Sequence, residues 1–145
     1  MVLESDDAST NCNYGSGATW CSPEIKSTSI APIHYDSSAP AIYNNTGVSF
    51  VALNTFTETL GSACAGVVKY TLSKDKTTWY YWTGVTWAAA DGTYTQANTS
   101  AQLTPAILGN FGTQLGTGNI YFKAFLNSSG ITACELSDVT IGGDQ

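Results

Sequence analysis

The stretch Trp79-Tyr80-Tyr81-Trp82-Thr83-Gly84-Val85-Thr86-Trp87 constrains the fold more than any other part of this chain. It holds three of the four tryptophans, set around a Thr-Gly turn signal. A two-residue turn at Thr83-Gly84 predicts a hairpin that pairs Trp82 with Val85, Tyr81 with Thr86, and Tyr80 with Trp87. Side chains alternate along a strand, so the two faces of this hairpin differ. Tyr80, Trp82, Val85 and Trp87 share one face and read as a core wedge. Trp79, Tyr81 and Thr86 share the other. That second face sets two aromatic rings where a ligand or partner can meet them.

A core wedge needs a core. The 145 residues, 43% hydrophobic and 12% aromatic, supply one domain's worth. Charged residues make up 11% of the chain, against roughly 25% in typical globular proteins. The polar surface must therefore be built from Thr, Ser, Asn and Gly. That suits a secreted β-protein or a subunit packed among neighbours. The formal charge is -6, with five Lys plus Arg. Nucleic acid is excluded as an expected partner, because phosphate binding needs clustered cations. Anionic membrane surfaces are disfavoured for the same reason, and no apolar run reaches spanning length. The opening Met-Val-Leu-Glu-Ser-Asp-Asp lacks a signal peptide's basic and apolar regions, so a mature form or excised domain is expected.

Cys12, Cys21, Cys64 and Cys134 are even in number, which points to disulfides and an oxidising compartment. Three pairings are open; Cys12–Cys21 and Cys64–Cys134 are preferred. The first closes a short loop. The second ties distant segments together, worth roughly 4 kcal/mol on the loop-entropy model. No pair has CxxC spacing and the chain has one histidine, so a zinc site is a poor alternative.

Residues 1–47 read as an irregular N-terminal arm with loops and short extended pieces, Ala31-Pro32-Ile33 and Ala39-Pro40-Ala41 among them, at sheet edges. Residues 48–145 read as the body. Val48 to Thr57 is apolar on both faces, as in a central strand. Val68, Tyr70 and Leu72 alternate with Lys69, Thr71 and Ser73, a half-buried strand. Lys74-Asp75-Lys76 and Asp91-Gly92 are turns. Thr99 to Phe111 is the one helix candidate, with Thr104 as cap, Pro105 first in the helix and Gly109 its expected end. In Asn119 to Asn127, Ile120, Phe122, Ala124 and Leu126 form one face and Tyr121, Lys123 and Phe125 the other. A hairpin loop at Asn127-Ser128-Ser129-Gly130 leads to a return strand, Ile131 to Ile141. A bulge near Ser137-Asp138 is needed to bring Leu136 and Val139 into phase. In all, about eight strands and one short helix predict an all-β, antiparallel β-sandwich of jelly-roll type.

Trp79 and Tyr81 are the first binding candidates, since flat rings stack on the C–H faces of sugars. Tyr121 and Phe125 raise the same expectation around Lys123. The alternative for each is packing under the N-terminal loops or against a neighbouring subunit. No cofactor is expected. Calcium is weighed as well, on Asp6, Asp7, Asp36, Asp75, Asp91, Asp138 and Asp144, but no DxDxDG-type loop is present, and Asp91 and Asp138 are more simply turn and bulge residues. His34 is the single histidine, no GxSxG elbow accompanies it, and Glu4, Glu24, Glu58 and Glu135 have no glycosidase-like spacing. The expectation is a protein that is not an enzyme. Asn44, Asn98 and Asn127 each begin an N-x-Ser/Thr sequon.

The run from Leu72-Ser73 through the aromatic hairpin to Asp91-Gly92-Thr93-Tyr94, Gln96 and Asn98-Thr99 resembles modules of large bacterial surface proteins. So do Ile120-Tyr121-Phe122-Lys123-Ala124-Phe125-Leu126 and Glu135-Leu136-Ser137-Asp138-Val139. These modules are similar to the lectin-like jelly rolls of tandem adhesins and cell-wall proteins. The likeness covers roughly residues 66–142 and leaves out the arm and the cysteine pattern. It implies an extracellular or cell-surface structural or adhesive role, and carries no catalytic residues. The expected partners are copies of the chain itself or neighbouring modules, joined by N-terminal strand addition; glycans are the alternative.

Overall fold

The computed structural model of the chain describes residues 13–15, 18–20, 41–62, 64, 66–127 and 134–145. The chain divides into two compact units, residues 1–33 and 34–145. In the first, β1 (Asn13–Gly15) and β2 (Ala18–Trp20) pair antiparallel, with Asn13 opposite Trp20. Cys12 and Cys21 lie outside the described residues. So do His34, Glu4, Glu24 and the segments around Pro32 and Pro40.

The second unit is an antiparallel β-sandwich with one helix. Its larger sheet runs in the order β3 (Ala41–Tyr43), β9 (Gly118–Leu126), β6 (Val68–Ser73), β7 (Trp79–Trp82) and β8 (Trp87–Ala89). β4 (Val48–Phe50) also pairs with β9. β5 (Ala52–Leu60) and β10 (Leu136–Asp144) form a separate two-stranded sheet. Two 3-10 turns, Tyr94–Gln96 and Ser100–Gln102, precede α1 (Pro105–Leu115). The core gathers Leu53 and Phe56 of β5, Tyr70 and Leu72 of β6, Trp87, Ile120 and the α1 residues Leu108 and Phe111.

The parity of the aromatic hairpin is as expected, and its register is not. Trp82 pairs with Trp87, Tyr81 with Ala88, and Tyr80 with Ala89. The loop is therefore Thr83 to Thr86, four residues rather than two. Thr83 closes it, donating from its backbone N–H at 2.9 Å and its hydroxyl at 2.9 Å to the Thr86 carbonyl. Gly84 supplies the positive φ of 102°. Val85 is pushed off the core face and is 81% exposed. A slip of two residues preserves which side chains share a face. Tyr80, Trp82 and Trp87 do pack on the core side. Trp87 meets Phe111 edge-on at 4.9 Å, and Tyr80 meets it at 6.2 Å. The indole N–H of Trp87 donates to the Ile107 carbonyl at 3.1 Å. The Gln114 amide oxygen accepts from the Trp87 backbone N–H at 2.9 Å, so α1 is fastened to the hairpin at two points.

Other expectations need correction. The helix does not stop at Gly109 but runs to Leu115. Its two interior glycines, Gly109 and Gly112, cost about 1 kcal/mol each, less than the burial of Leu108 and Phe111 returns. The stop comes at Gly116, with φ 82°, where Lys74 donates to the Leu115 carbonyl at 2.6 Å. The expected central strand Val48 to Thr57 breaks at Val51: β4 belongs to one sheet and β5 to the other. β6 is a central strand, with Thr71 and Ser73 buried on the face opposite Tyr70 and Leu72.

β10 does not return along β9; it pairs with β5. Both edges of β9 are already taken, one by β6 and the other by β3 and β4. The expected bulge is present, as a register shift between Leu136 and Asp138. A second shift, at Gly142/Gly143, lets both Leu53 and Phe56 face inward although they are three residues apart. The expected Cys64–Cys134 disulfide is formed and staples the end of this ladder, just beyond the Leu60–Leu136 pair.

Candidate functional site

The second face of the hairpin continues across the larger sheet. Register sets Tyr121, Ser73 and Trp79 in one row, and Tyr43, Lys123 and Thr71 in the next. Tyr81 is two residues from Trp79 on the same strand, hence on the same face. The three sequence candidates Trp79, Tyr81 and Tyr121 thus share one face, and each is half-buried.

A cleft of about 300 Å³ opens on this side, lined by Tyr43, Asn45, Lys76, Trp79 and Lys123. Trp79 is the one sequence candidate in its lining. Tyr121 is outside the lining: its ring lies where a Cβ on Gly47 would come within 2.5 Å, so the backbone at Gly47 packs directly on it. Lys76 lies 5.2 Å from the Tyr121 ring centre. Phe125, the other aromatic beside Lys123, is buried.

Each lining residue is held from behind. β3 and β4 follow one edge of β9, separated by residues 44–47. Asn44 bridges the gap: its side-chain oxygen accepts from the Phe122 backbone N–H at 2.7 Å, and its amide donates to the Thr46 carbonyl at 2.8 Å. That fixes the loop carrying Asn45, next to Tyr43. Lys76 donates to the Asn45 carbonyl at 3.1 Å and sits at a left-handed φ of 62°. The turn presenting it is organised by Asp75, whose carboxylate accepts from the backbone N–H groups of Thr77 at 2.8 Å and Thr78 at 2.9 Å. Those bonds, the one from Thr78 first, hold the Asp75 carboxyl below the usual carboxylate range. Ser73, buried beneath the turn, donates to the Thr78 carbonyl at 2.6 Å.

Lys123 lies with its ammonium 4.3 Å from the centre of the Trp79 ring. Partial burial pushes its pKa below the usual lysine value. Thr71, directly opposite it on β6, is buried with a hydroxyl that has no hydrogen-bond partner among the described residues. Such an arrangement offers a flat apolar ring, two cations and an amide in one concavity. None of its described lining residues is acidic.

Three further polar residues have structural partners. Asp91 accepts from the backbone and hydroxyl of Thr93, a turn role, and those bonds hold its pKa below the usual value. Glu58 accepts from the hydroxyls of Tyr70 and Ser100. Burial first, then the Glu58 carboxylate, drives the Tyr70 pKa far upward. Among the described residues no three His, Cys, Asp or Glu side chains gather as metal ligands. Asn98 is buried, with its amide engaged at both ends by the Trp82 backbone.

Sequence reasoning missed Tyr43, Asn45 and Lys76, and treated Lys123 only as a neighbour. The available signal was scarcity: with five cations in the chain, each deserves placement. No protein-family model, curated protein or solved structure matches this chain. The likeness to lectin-like adhesin modules therefore rests on its motifs alone. Among the described residues no helix is long and apolar enough to cross a membrane, and the Cys64–Cys134 disulfide suits an oxidising compartment.

Proposed function

We propose that this chain is an extracellular β-sandwich module with an adhesive role, binding glycan in the cleft beside Trp79. The observation that carries the reading is the presence of a half-exposed indole in an open concavity, with lysine and amide donors around it. Sugar recognition combines these two elements: an aromatic ring for the C–H face, and polar groups that fix orientation. The backing contacts of Asn44, Asp75 and Ser73 keep the cleft formed without ligand, which lowers the ordering cost of binding. A glycan array with the wild-type chain and Trp79→Ala tests it. Binding that disappears in Trp79→Ala supports the reading. Absence of binding, or binding indifferent to the substitution, refutes it.

A second reading has its own observation. β5 and β10 form a sheet of two strands, so each has an edge with no strand paired to it among the described residues. Such edges accept an added strand. On this reading the N-terminal arm of one copy pairs with the next, and copies assemble into a surface filament. Negative-stain microscopy separates the two: monomeric particles at high concentration would remove the filament reading and leave the glycan one untouched.

A further inference from the structure

We infer that the ligand of the Trp79 cleft is an acidic sugar, one that sets a carboxylate or sulfate on Lys76 and Lys123 while its ring covers the aromatic floor. This inference deepens the glycan reading above and rests on it. The first support is the distribution of charge. The chain has five basic residues and eleven acidic ones. Among the described residues, two of the four basic ones line this one cleft, and none of the six acidic ones does. Chance would favour the opposite balance. A net charge of -6 repels anions at long range, so attraction here is local.

The second support is the state of Lys123. Its ammonium is drawn onto the Trp79 ring at 4.3 Å and partly withdrawn from water. A ring quadrupole compensates a cation only in part, by about 0.5–2 kcal/mol. An anion would complete that compensation, with a charge-assisted hydrogen bond stronger than a neutral one. The Thr71 hydroxyl, buried opposite Lys123 on the same face, is a further polar group without a hydrogen-bond partner among the described residues. Third, Lys76 is held at a left-handed φ by the Asp75 turn and braced on the Asn45 carbonyl, an arrangement that presents it to the cleft at a strained backbone position. A neutral sugar would use the indole and take hydrogen bonds from the two ammonium groups, but it would leave their charges uncompensated. A simple inorganic anion would use the cations and leave the indole and Tyr43 idle. An acidic sugar uses both sets.

The experiment is a calorimetric and tryptophan-fluorescence titration of the full chain with four probes: a uronic-acid oligomer, a sulfated oligosaccharide, a neutral glucose oligomer and inorganic sulfate. Lys123→Met and Lys76→Met keep the aliphatic stems and remove the charges. Lys69→Met, over the Tyr94 ring 4.5 Å away and outside the cleft lining, is the control for diffuse charge. Denaturation midpoints check that each variant folds. We expect an acidic oligomer to bind, to weaken by about tenfold in each cleft variant, to be unchanged in Lys69→Met, and to weaken with added salt. Equal binding of the neutral oligomer, dependent on Trp79 and indifferent to both cleft lysines, overturns the acidic specificity and leaves the glycan reading standing. Binding of inorganic sulfate that depends on Lys123, with no sugar bound, overturns the glycan reading and the acidic-sugar inference with it. Loss of acidic binding in Lys69→Met equal to that in the cleft variants overturns the site. Silence from all four probes overturns both.

Discussion

Asn98 completes a β-ladder with its side chain. Its backbone exchanges hydrogen bonds with Tyr70 of β6, at 2.7 and 2.9 Å. Its side-chain oxygen accepts from the Trp82 backbone N–H at 2.6 Å, and its amide donates to the Trp82 carbonyl at 2.9 Å. β6 and β7 pair directly only at Leu72–Tyr80 and Ser73–Trp79. Beyond that point Asn98 stands between them and satisfies both. Asn44 does the same for Phe122 in the gap between β3 and β4. Both asparagines begin sequons, and the fold gives each a structural hydrogen bond instead.

Replacing Asn98 should therefore be costly. Asn98→Ala leaves the N–H and C=O of Trp82 without their partners, at about 1–3 kcal/mol for each group that water cannot reach. Asn98→Asp restores the acceptor but not the donor, and places a carboxylate at a buried position. We expect Asn98→Ala to lose about 2–3 kcal/mol in urea denaturation, and Asn98→Asp to lose at least as much at neutral pH. A loss below 0.5 kcal/mol in either, roughly the level of a neutral surface change, would show that the bridge is dispensable.

Two glycines should respond in opposite directions to the same change. Gly109 lies inside α1, and a Cβ built there meets nothing within 4 Å. Gly109→Ala should stabilise the chain by about 0.5–1 kcal/mol through helix propensity. Gly143 lies at the β5–β10 register shift, where a Cβ would collide with the Ala52 carbonyl oxygen. Gly143→Ala should destabilise, by about 2 kcal/mol or more, unless the ladder end peels away. Thermal unfolding of the two variants side by side gives the signs directly.

The Asp75 turn gives a pH dependence. Its folded pKa lies below the ordinary 3.8, because Thr78 and Thr77 donate to the ionised form. A depressed folded pKa stabilises the fold above the unfolded value, and that contribution disappears as pH falls through the folded one. Stability attributable to Asp75 should thus be complete above the ordinary carboxylate range and lost only below it. Asp75→Asn should flatten that acid limb and leave the neutral-pH slope unchanged, as read from denaturation midpoints across the acid range. Ligand binding at Lys76 should be little changed in the same variant, because a side-chain amide oxygen still accepts from Thr77 and Thr78 and keeps the turn.

Strand alternation made the two faces of the hairpin legible, and it survived a wrong loop length because a slip of two restores parity. The core wedge of Tyr80, Trp82 and Trp87 and the placement of Trp79 were read correctly for that reason. Pairing partners were not legible in the same way. That β10 joins β5 depends on both edges of β9 being occupied by segments distant in sequence. The cleft was half legible. Trp79 announced itself by type and parity, but Lys123 reaches it across Thr71 and Ser73 of an intervening strand, and Tyr43 arrives from the far side of β9. Such a meeting is a product of register over several strands, and no local pattern encodes it.

The Cys64–Cys134 disulfide gives the last prediction, one that separates folding from binding. The bond closes a loop of sequence separation 70, and loop entropy assigns it about 4 kcal/mol. It sits where the β5–β10 ladder ends, held also by the Gly61 N–H donating to the Glu135 carbonyl at 2.8 Å. The cleft lies on the outer face of the larger sheet, and none of its lining residues belongs to β5 or β10. Cys64→Ala with Cys134→Ala should therefore lower the unfolding free energy by several kcal/mol, on the order of the loop term. Where the double variant remains folded, its affinity at the Trp79 cleft should match that of the wild type. A large affinity loss in folded double variant, by titration under conditions where its near-ultraviolet circular dichroism matches the parent, would mean that the smaller sheet shapes the cleft from behind. The relation between the two sheets, rather than the face alone, would then govern binding.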